Sequence, residues 1–241
     1  MPITYNNLFE KFISWENLLK AVKNSIKRKK KTKEVKEFLS HLEDNIVQIR
    51  RDLINLNWKQ NNYTKFERIS GYKRRNIEAP SFKDRIIHHA IVQIIEPLFE
   101  KKFIYHSYSC RKNKGTHKSA DILEKFVRIH KRNNQKTYIL KADISKFFPS
   151  IDHKILWKII KRTIKDKKLI KIIKLLTISP DNTTNKGIPI GALTSQLFAN
   201  IYLNSLDHYI KDNLKIKFYC RYADDFIIIK NNKNILFYYL Y

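Results

Sequence analysis

Two adjacent carboxylates, Asp224 and Asp225, stand between two apolar and aromatic runs near the end of the chain, at residues 218–222 and 226–229. Aromatic and β-branched residues favour strands, so this segment predicts a β-hairpin with both acids at its tip. Neighbouring carboxylates repel each other, and a divalent cation relieves that repulsion better than water does. The hairpin is therefore either a metal site or a solvated polar turn.

A second candidate ligand, Asp143, ends a short β-rich run at residues 137–143 and is followed by an aromatic pair that includes Phe148. An acid in this place can hold a metal ion, and it can equally terminate the strand. Residues 186–196 form a loop punctuated by glycine and proline that leads into a helix. Glycine lets a backbone approach a ligand closely, and free amides at a helix N-terminus favour anions.

A second predicted hairpin, at residues 63–80, alternates polar and apolar residues on either side of Gly71 and is rich in cations. Its basic side chains, among them Lys65, Lys73 and Arg75, could hold a triphosphate or a template backbone. They could equally serve only solubility. Further candidate phosphate contacts, at the start of a helix and in a polar loop, are Lys83, Arg85, Arg111 and Lys114.

The remaining elements are predicted from apolar residues at helical spacing. The basic run at residues 27–31 is interpreted as a solvated loop. The pair His88 and His89 is interpreted as structural or substrate-facing, because no acid or cysteine stands at metal-ligand spacing nearby. Predicted helical regions cover most of residues 1–58, then residues 81–100 and 155–178, together with one helix that carries Ile122 to Ile129 and one that carries Leu197 to Ile210.

The composition fits a folded, nucleic-acid-binding protein. The chain has 241 residues, 43% of them apolar, which is enough for one large domain or two small ones. A net charge of +27 favours nucleic acid as partner, and an anionic membrane second. No apolar run approaches the roughly 20 residues that span a bilayer. Two cysteines, Cys110 and Cys220, are too few for a disulfide framework, so a cytoplasmic setting is expected.

The order and spacing of these motifs resemble the palm of a reverse transcriptase over roughly residues 60–230. Within that superfamily, the segment Ile-Gly-Ala-Leu-Thr-Ser-Gln at residues 190–196 resembles the corresponding segment of the diversity-generating retroelement enzymes. Group II intron enzymes usually show Gln-Gly-x-x-x-Ser-Pro there. Residues 84–90 and 107–117 also look like the retroelement type, and the signature expected of retron enzymes is absent. The family resemblance implies a bacterial or phage-encoded protein.

The resemblance implies a mixed α/β (α+β) fold with the fingers and palm of a right-hand polymerase and an antiparallel palm sheet. Residues 1–58 would form an N-terminal helical segment and residues 59–130 the fingers. Residues 131–236 would form the palm, with 155–185 partly in the fingers, and residues 237–241 a tail.

The implied activity is RNA-directed DNA synthesis, in which dNTPs are added to a primer 3′-hydroxyl with two Mg²⁺ ions, or Mn²⁺ in their place. Phe148 would exclude a 2′-hydroxyl, and an aliphatic Ile190 in place of glutamine would lower fidelity, especially opposite template adenines. The catalytic acids and metal ligands would be Asp143, Asp224 and Asp225, with the backbone carbonyl of Ile144. The dNTP site would comprise Arg75, Lys65, Lys73, Phe148, Ile190 and Gly191. Nucleic-acid contacts would come from Lys83, Arg85, Arg111, Lys114, Ser195 and Gln196.

The chain departs from this family pattern after its Asp-Asp hairpin, where complete enzymes continue with a primer grip and a helical thumb. We expect a C-terminally truncated chain whose tail pairs as a last strand or is out-of-frame residue. Two function classes stay open: an error-prone polymerase copying a retroelement RNA, or a weak or inactive nucleic-acid-binding remnant. A group II intron-type enzyme is a third. The expected partners are an RNA template with a DNA primer, dNTPs and a retroelement accessory protein, without a membrane.

Overall fold

The computed structural model describes residues 3–27, 32–70, 73–133 and 136–238. The predicted mixed α/β class is confirmed, with small antiparallel sheets among helices. The strands are β1 (Thr64–Ser70), β2 (Lys73–Ala79), β3 (Tyr138–Asp143), β4 (Tyr219–Tyr222) and β5 (Asp225–Lys230). The helices are α1 (Leu8–Phe12), α2 (Trp15–Ser25), α3 (Lys33–Ser40), α4 (Leu42–Ile54), α5 (Phe82–Glu100), α6 (Thr116–Asn133), α7 (Phe147–Ser150), α8 (His153–Thr163), α9 (Lys167–Thr177), α10 (Leu193–His208) and α11 (Lys233–Tyr238), with a π-helical turn at Tyr209–Asn213.

The chain forms two compact units and passes between them three times. Unit 1 comprises residues 1–99 and 148–198, and unit 2 comprises residues 100–147 and 199–241. Each unit therefore contains two separate stretches of the chain. The division into a helical N-terminal segment, fingers and palm stays a prediction.

Two of the predicted helical regions in unit 1 are each broken into two helices. The stretch of apolar periodicity after residue 33 breaks at His41, whose backbone angles of −126° and 43° are not helical, so α3 and α4 are separate. Likewise α8 and α9 are separated at residues 164–166, where the Asp166 side chain accepts a hydrogen bond from the Leu169 amide and caps α9. Asp152 caps α8 in the same way, since its carboxylate accepts a hydrogen bond from the Ile155 amide.

The core of unit 1 lies around α5, where Ile86, Ile87 and Ile91 are fully buried. His88 of the same helix is also fully buried and joins it to two other segments. Its Nε2 lies 3.2 Å from the Tyr63 hydroxyl and its Nδ1 lies 2.8 Å from Thr194 Oγ1. Tyr63 donates its own hydroxyl hydrogen elsewhere, so His88 donates from Nε2 and accepts at Nδ1. The structural interpretation of His88 is thus supported by its contacts.

Acidification is expected to destabilise the protein through His88. Burial, and secondarily His89, lowers the pKa of His88 to about 3. Below pH 6.5 the unfolded chain therefore binds a proton that the folded chain does not, and stability falls as the pH drops. We expect a loss of about 2 kcal/mol between pH 6.5 and pH 5 from this group. Urea unfolding at the two pH values measures it.

The matched variants for this pH effect are His88→Gln and His117→Gln. His117 is exposed on α6, so its replacement should leave the acid-side loss unchanged. His88→Gln lowers stability at neutral pH but should flatten the dependence between pH 6.5 and 5. Equal slopes in the wild type and His88→Gln would contradict the assignment.

The three-stranded sheet of unit 2 has the order β3-β5-β4, with antiparallel pairs on both sides of β5. Successive residues of the central strand point to opposite faces. Ile228 belongs to an apolar cluster with Ile210 and Tyr219, and Ile229 belongs to a second cluster with Phe126 of α6. Both faces of the central strand therefore pack against apolar side chains, whereas the edge strand β3 leaves Ile139 and Lys141 exposed.

Several predictions about the chain's other segments have definite outcomes. The suggestion of a last strand is wrong, because residues 233–238 form helix α11, and Leu236 packs into the cluster around Ile228. Residues 28–31 of the basic run, and Gly71, lie outside the described residues. Within the described part of the chain, no helix is long and apolar enough to cross a bilayer.

Candidate metal and polymerase site

Three carboxylates meet at one end of the unit 2 sheet. The antiparallel register places Asp143, the last residue of β3, directly opposite Asp225, the first residue of β5. Asp224 occupies the tight turn that joins β4 to β5. Ligand oxygens of the three side chains lie within 4.8 Å of one another, and Asp143 and Asp225 are exposed while Asp224 is half-buried. The structure therefore brings the strand-end acid and the two hairpin acids together, and their roles as metal ligands stay predictions.

The donor set is suited to a hard divalent cation. All three groups are carboxylates, which Mg²⁺ and Mn²⁺ prefer over nitrogen or sulfur ligands. No histidine or cysteine joins the cluster among the described residues. Ile144, whose carbonyl was predicted as a further ligand, follows directly after β3 in the same unit. The site fits Mg²⁺, and the identity of the ion stays a prediction.

The turn that carries Asp224 contains a strained residue. Ala223 has a φ of 56°, a left-handed conformation that costs a non-glycine residue roughly 1–2 kcal/mol. Its carbonyl accepts a hydrogen bond of 2.8 Å from Nη1 of Arg221. Arg221, the residue immediately before the Tyr-Ala-Asp-Asp motif, therefore stabilises the turn through this hydrogen bond.

Arg221 is itself held in a buried network. Its guanidinium is 1% exposed and forms two hydrogen bonds to Asp207, 2.8 Å from Nε to Oδ1 and 2.6 Å from Nη2 to Oδ2. Asp207 also accepts from the Tyr219 hydroxyl at 2.6 Å, and Asn200 Oδ1 lies 3.2 Å from Nη1. Burial and the neighbouring Asp207 raise the pKa of Tyr219, so its hydroxyl remains a donor. The network joins the β4–β5 hairpin to the second half of α10.

Sequence reasoning overlooked this network, although a signal for it was present. Asp207 stands on the apolar face of a helix between Leu203 and Ile210, and Arg221 interrupts an apolar strand. Lone charges on apolar faces are rarely buried unless they are paired. Two opposite charges of this kind, each on an element predicted to be buried, indicate a buried ion pair.

The residues predicted to bind the incoming nucleotide belong to unit 1. Strands β1 and β2 form the predicted hairpin, in which Arg75 is exposed and lies opposite Arg68. Lys65 Nζ forms an ion pair of 2.9 Å with Asp181. Lys73 begins β2, and its side chain lies outside the description. Of these three cations, Arg75 is exposed and forms no ion pair among the described residues.

Residues 186–196, which we call the glycine loop, pack against the β1–β2 hairpin. The Glu78 amide donates to the Ile190 carbonyl at 2.7 Å, and the Ile188 amide donates to the Phe148 carbonyl at 3.1 Å. A cavity of about 420 Å³ in unit 1 has both Lys65 and Ile190 in its lining. The structure thus places Lys65, Phe148 and Ile190 around one loop, and their role in nucleotide binding stays a prediction.

Replacing Gly191 with alanine is expected to displace this loop. A Cβ at Gly191 would lie 2.7 Å from the Glu78 carbonyl oxygen and 2.9 Å from Ile77 Cγ2, and the φ of +133° is unfavourable for alanine. Backbone cannot yield as a flexible side chain can, so we expect a loss of about 3 kcal/mol, from strain and overpacking together. Gly115→Ala is the control, because its φ of +117° is also positive but nothing lies within 4 Å. Equal destabilisation of the two variants in urea would contradict the close approach.

The residues predicted to contact nucleic acid divide into exposed and internal groups. Lys83 is half-buried and Gln196 is exposed. Arg85 is paired with Glu34 at 2.9 Å. Ser195 is 1% exposed, and its hydroxyl has no hydrogen-bond partner among the described atoms.

Arg111 and Lys114 stabilise the polar loop in which they lie, through contacts within the protein. The Arg111 side chain is 5% exposed, pairs with Glu100 at 2.7 Å and donates to the carbonyls of Ile104 and Ser107. Lys114 donates to the Tyr105 carbonyl at 2.8 Å, and its pKa is lowered by burial and by Arg111. The internal positions of Arg111 and Ser195 correct the expectation of direct contact, because neither side chain presents a donor at the surface.

Comparison with known proteins identifies the family. The sequence profile described as reverse transcriptase (RNA-dependent DNA polymerase) matches residues 59–238. The chain belongs to the reverse transcriptase family. The matched region contains all three carboxylates of the candidate metal site, the basic hairpin and the glycine loop.

Individual relatives agree with this family assignment. Protein YkfC of Escherichia coli K12 is 26% identical over 200 residues, which cover 66% of this chain and 51% of YkfC. The group II intron-encoded protein LtrA of Lactococcus lactis is 30% identical over 152 residues, 61% of this chain and 24% of LtrA. The chain therefore spans about half the length of one curated relative and a quarter of the other.

A solved structure supports the fold. A partial Cas6-RT-Cas1–Cas2 complex contains a chain that superposes with a TM-score of 0.54 over 94% of this chain and 38% of its own length, at 21% identity. This likeness concerns the arrangement of helices and strands.

Proposed function

We propose that this chain contributes the fingers and palm of an RNA-directed DNA polymerase that adds dNTPs to a primer 3′-hydroxyl. The observation that carries the proposal is the convergence of Asp143, Asp224 and Asp225 within a chain of the reverse transcriptase family. We assign the palm to the sheet of unit 2 and the fingers to the basic hairpin and nearby helices of unit 1. The net charge of +27 supports an RNA template with a DNA primer as the partner.

In this proposal, Asp143 and Asp224 would be the main ligands of two Mg²⁺ ions, with Asp225 assisting and Ile144 adding its carbonyl. When bound, the metal ions would activate the attacking hydroxyl and stabilise the leaving pyrophosphate. The exposed Arg75 offers a planar fork of donors suited to a triphosphate.

The other nucleotide contacts are assigned by position along the same loop. Phe148 would pack beneath the sugar and reject a 2′-hydroxyl, and Ile190 with Gly191 would lie against the nascent base pair. Lys65 would have to leave Asp181 before it could bind a phosphate. This pair is half-exposed on both sides, so its separation costs little, about 1 kcal/mol or less.

Primer extension tests the proposal directly. The purified chain is incubated with a DNA primer on an RNA template, dNTPs and Mg²⁺, and extension is followed on a denaturing gel. We expect extension that EDTA abolishes and that excess Mg²⁺ restores. A DNA template of the same sequence reports the template preference. Absence of extension with both Mg²⁺ and Mn²⁺ would reject polymerase activity for this chain and favour a nucleic-acid-binding protein.

We further propose the diversity-generating retroelement type, with error-prone copying of a retroelement template RNA. The support is Ile190 in place of the usual glutamine, together with Ser195-Gln196. The carbonyl and amino groups of a glutamine side chain are then missing beside the incoming base pair. We expect Ile190→Gln to lower misincorporation opposite template adenine, measured by single-nucleotide incorporation kinetics. Equal error rates for the two proteins would reject this assignment.

A group II intron-type enzyme is the second candidate, because LtrA shares 30% identity over 152 residues. The two candidates differ in the fidelity test. A group II type would show low misincorporation already in the wild type, with no gain from Ile190→Gln.

A further inference from the structure

One strongly charged surface is not used by the proposed reaction. Helices α8 and α9, with their connection, carry a single acid between residues 154 and 174, Asp166. Both carboxylate oxygens of Asp166 accept hydrogen bonds within the protein, Oδ1 from the Leu169 amide and Oδ2 from the Phe9 amide. The same stretch carries nine cations: Lys154, Lys158, Lys161, Arg162, Lys165, Lys167, Lys168, Lys171 and Lys174.

The spacing of these cations along α8 gathers them on one face. Lys154, Lys158 and Lys161 are separated by four and three residues, which places them on one face of α8, and Lys165 follows in the connection to α9. All four are exposed. They line a groove of about 420 Å³ whose remaining lining residues are Trp157 and Arg162. We name these six residues the α8 basic groove.

Trp157 forms a fixed apolar floor in the α8 basic groove. Its ring stacks against His153 at a centroid distance of 5.7 Å, and Lys174 Nζ lies 4.9 Å from its centroid. Its indole N–H donates to Thr177 Oγ1 at 3.3 Å. The ring is therefore held by its own neighbours, and the cations stand around a rigid surface.

The cations of the groove are not neutralised within the described residues. None of the ion pairs found there joins a lysine or arginine of the groove to a carboxylate, whereas Arg85 is paired with Glu34 and Arg111 with Glu100. Like charges at helical spacing repel each other and destabilise a helix. A concentration of this kind, left without internal partners, is suited to an external polyanion.

The groove favours a nucleic acid over a membrane surface. An interfacial helix inserts its apolar face between lipids. The apolar face of α8 is occupied instead, since Leu156 and Ile160 are fully buried in the protein. What α8 presents to solvent is mostly cationic, and this matches a phosphate backbone.

We propose that the α8 basic groove binds the phosphate backbone of single-stranded RNA, outside the carboxylate site. The inference rests on the proposed function insofar as an RNA template is the partner. The cations supply affinity without base specificity, because phosphate contacts carry no sequence information. Trp157 gives the strand an apolar surface on which to rest.

The salt dependence of RNA binding tests this proposal. The test variant replaces Lys154, Lys158, Lys161, Arg162 and Lys165 with glutamine. The control variant removes the same number of exposed cations from the N-terminal helices: Lys11, Lys20, Lys23, Lys36 and Arg51. Both variants have the same net charge, so general attraction to RNA is matched. Thermal unfolding first establishes that each variant is folded.

The probe is a fluorescein-labelled 20-nucleotide oligouridylate, and its affinity is measured by anisotropy from 50 to 200 mM salt. The wild-type slope of log affinity against log salt should fall in magnitude by about 3.5 in the test variant, at about 0.7 for each lost phosphate contact. The control should change by about 1 or less, because its cations contact no phosphate. Equal slopes in the two variants would overturn the proposal. It would also be overturned if the test variant bound the oligouridylate as the wild type does but lost binding to vesicles of anionic lipid.

Primer extension on a short hybrid separates this proposal from the proposed function. If the wild type extends no primer but the slopes differ as expected, the polymerase proposal fails and the groove stands. If extension is normal and the slopes are equal, the groove fails and the polymerase stands.

Discussion

Replacement of Asp224 by asparagine is expected to lower primer extension by about 10³-fold or more. Its carboxyl oxygen lies within 4.8 Å of ligand oxygens of both Asp143 and Asp225, so it belongs to the donor set. An amide removes one negative charge and weakens the hold on a hard cation. Metal ions of this kind contribute several kcal/mol to transition-state stabilisation, and each 1.36 kcal/mol is a factor of ten in rate.

Two measurements follow this variant. Single-turnover primer extension reports the rate, and calorimetric titration with Mn²⁺ reports metal affinity even if the chain extends primers slowly. Both should decrease in Asp224→Asn. The control is Asp121→Asn, which makes the same charge change at an exposed position of α6 in the same unit. Wild-type Mn²⁺ affinity and extension rate in Asp224→Asn would remove the three carboxylates from the proposed chemistry.

The local patterns that place Asp224 could be read from the sequence. An apolar, aromatic run on each side of two acids predicted β4 and β5, and a strand-end acid predicted the end of β3. Pairing between β3 and β5 over a separation of 82 residues could not be derived from alternation alone, because alternation identifies a strand but not its neighbour. That placement came from the resemblance to reverse transcriptases.

Breaks within helices were less accessible to sequence reasoning. Apolar periodicity continues through His41 and through Ile164, although the helices end there. Asp166 marks the second break by capping α9, yet an acid in a lysine-rich stretch also reads as a surface charge. The tail shows the same limit: residues 233–238 are aromatic and apolar like a strand but form α11. Tertiary burial of Leu236 decided the outcome there.

Replacement of Arg221 by glutamine is expected to destabilise the protein by about 3–5 kcal/mol, because it leaves Asp207 buried without its cation. Asp207 is fully buried, so water cannot take the place of the guanidinium. The same change removes the hydrogen bond to the Ala223 carbonyl, 2.8 Å long in the wild type. Urea unfolding measures the loss of stability, but this variant alone cannot separate stability from positioning.

A triple variant, Arg221→Met with Asp207→Leu and Tyr219→Phe, makes that separation. It removes the buried polar network as a whole, and apolar replacement of a buried ion pair is often neutral or stabilising by about 1–4 kcal/mol. The strained turn at Ala223 nevertheless loses its support, so we expect stability to recover while Mn²⁺ affinity and extension rate stay lower by about 10–100-fold, the effect usual for groups that orient metal ligands. Full recovery of both would make the network purely structural. Recovery of stability alone would establish that Arg221 positions the turn that contains Asp224, since the three carboxylates of the candidate metal site are unchanged in this variant.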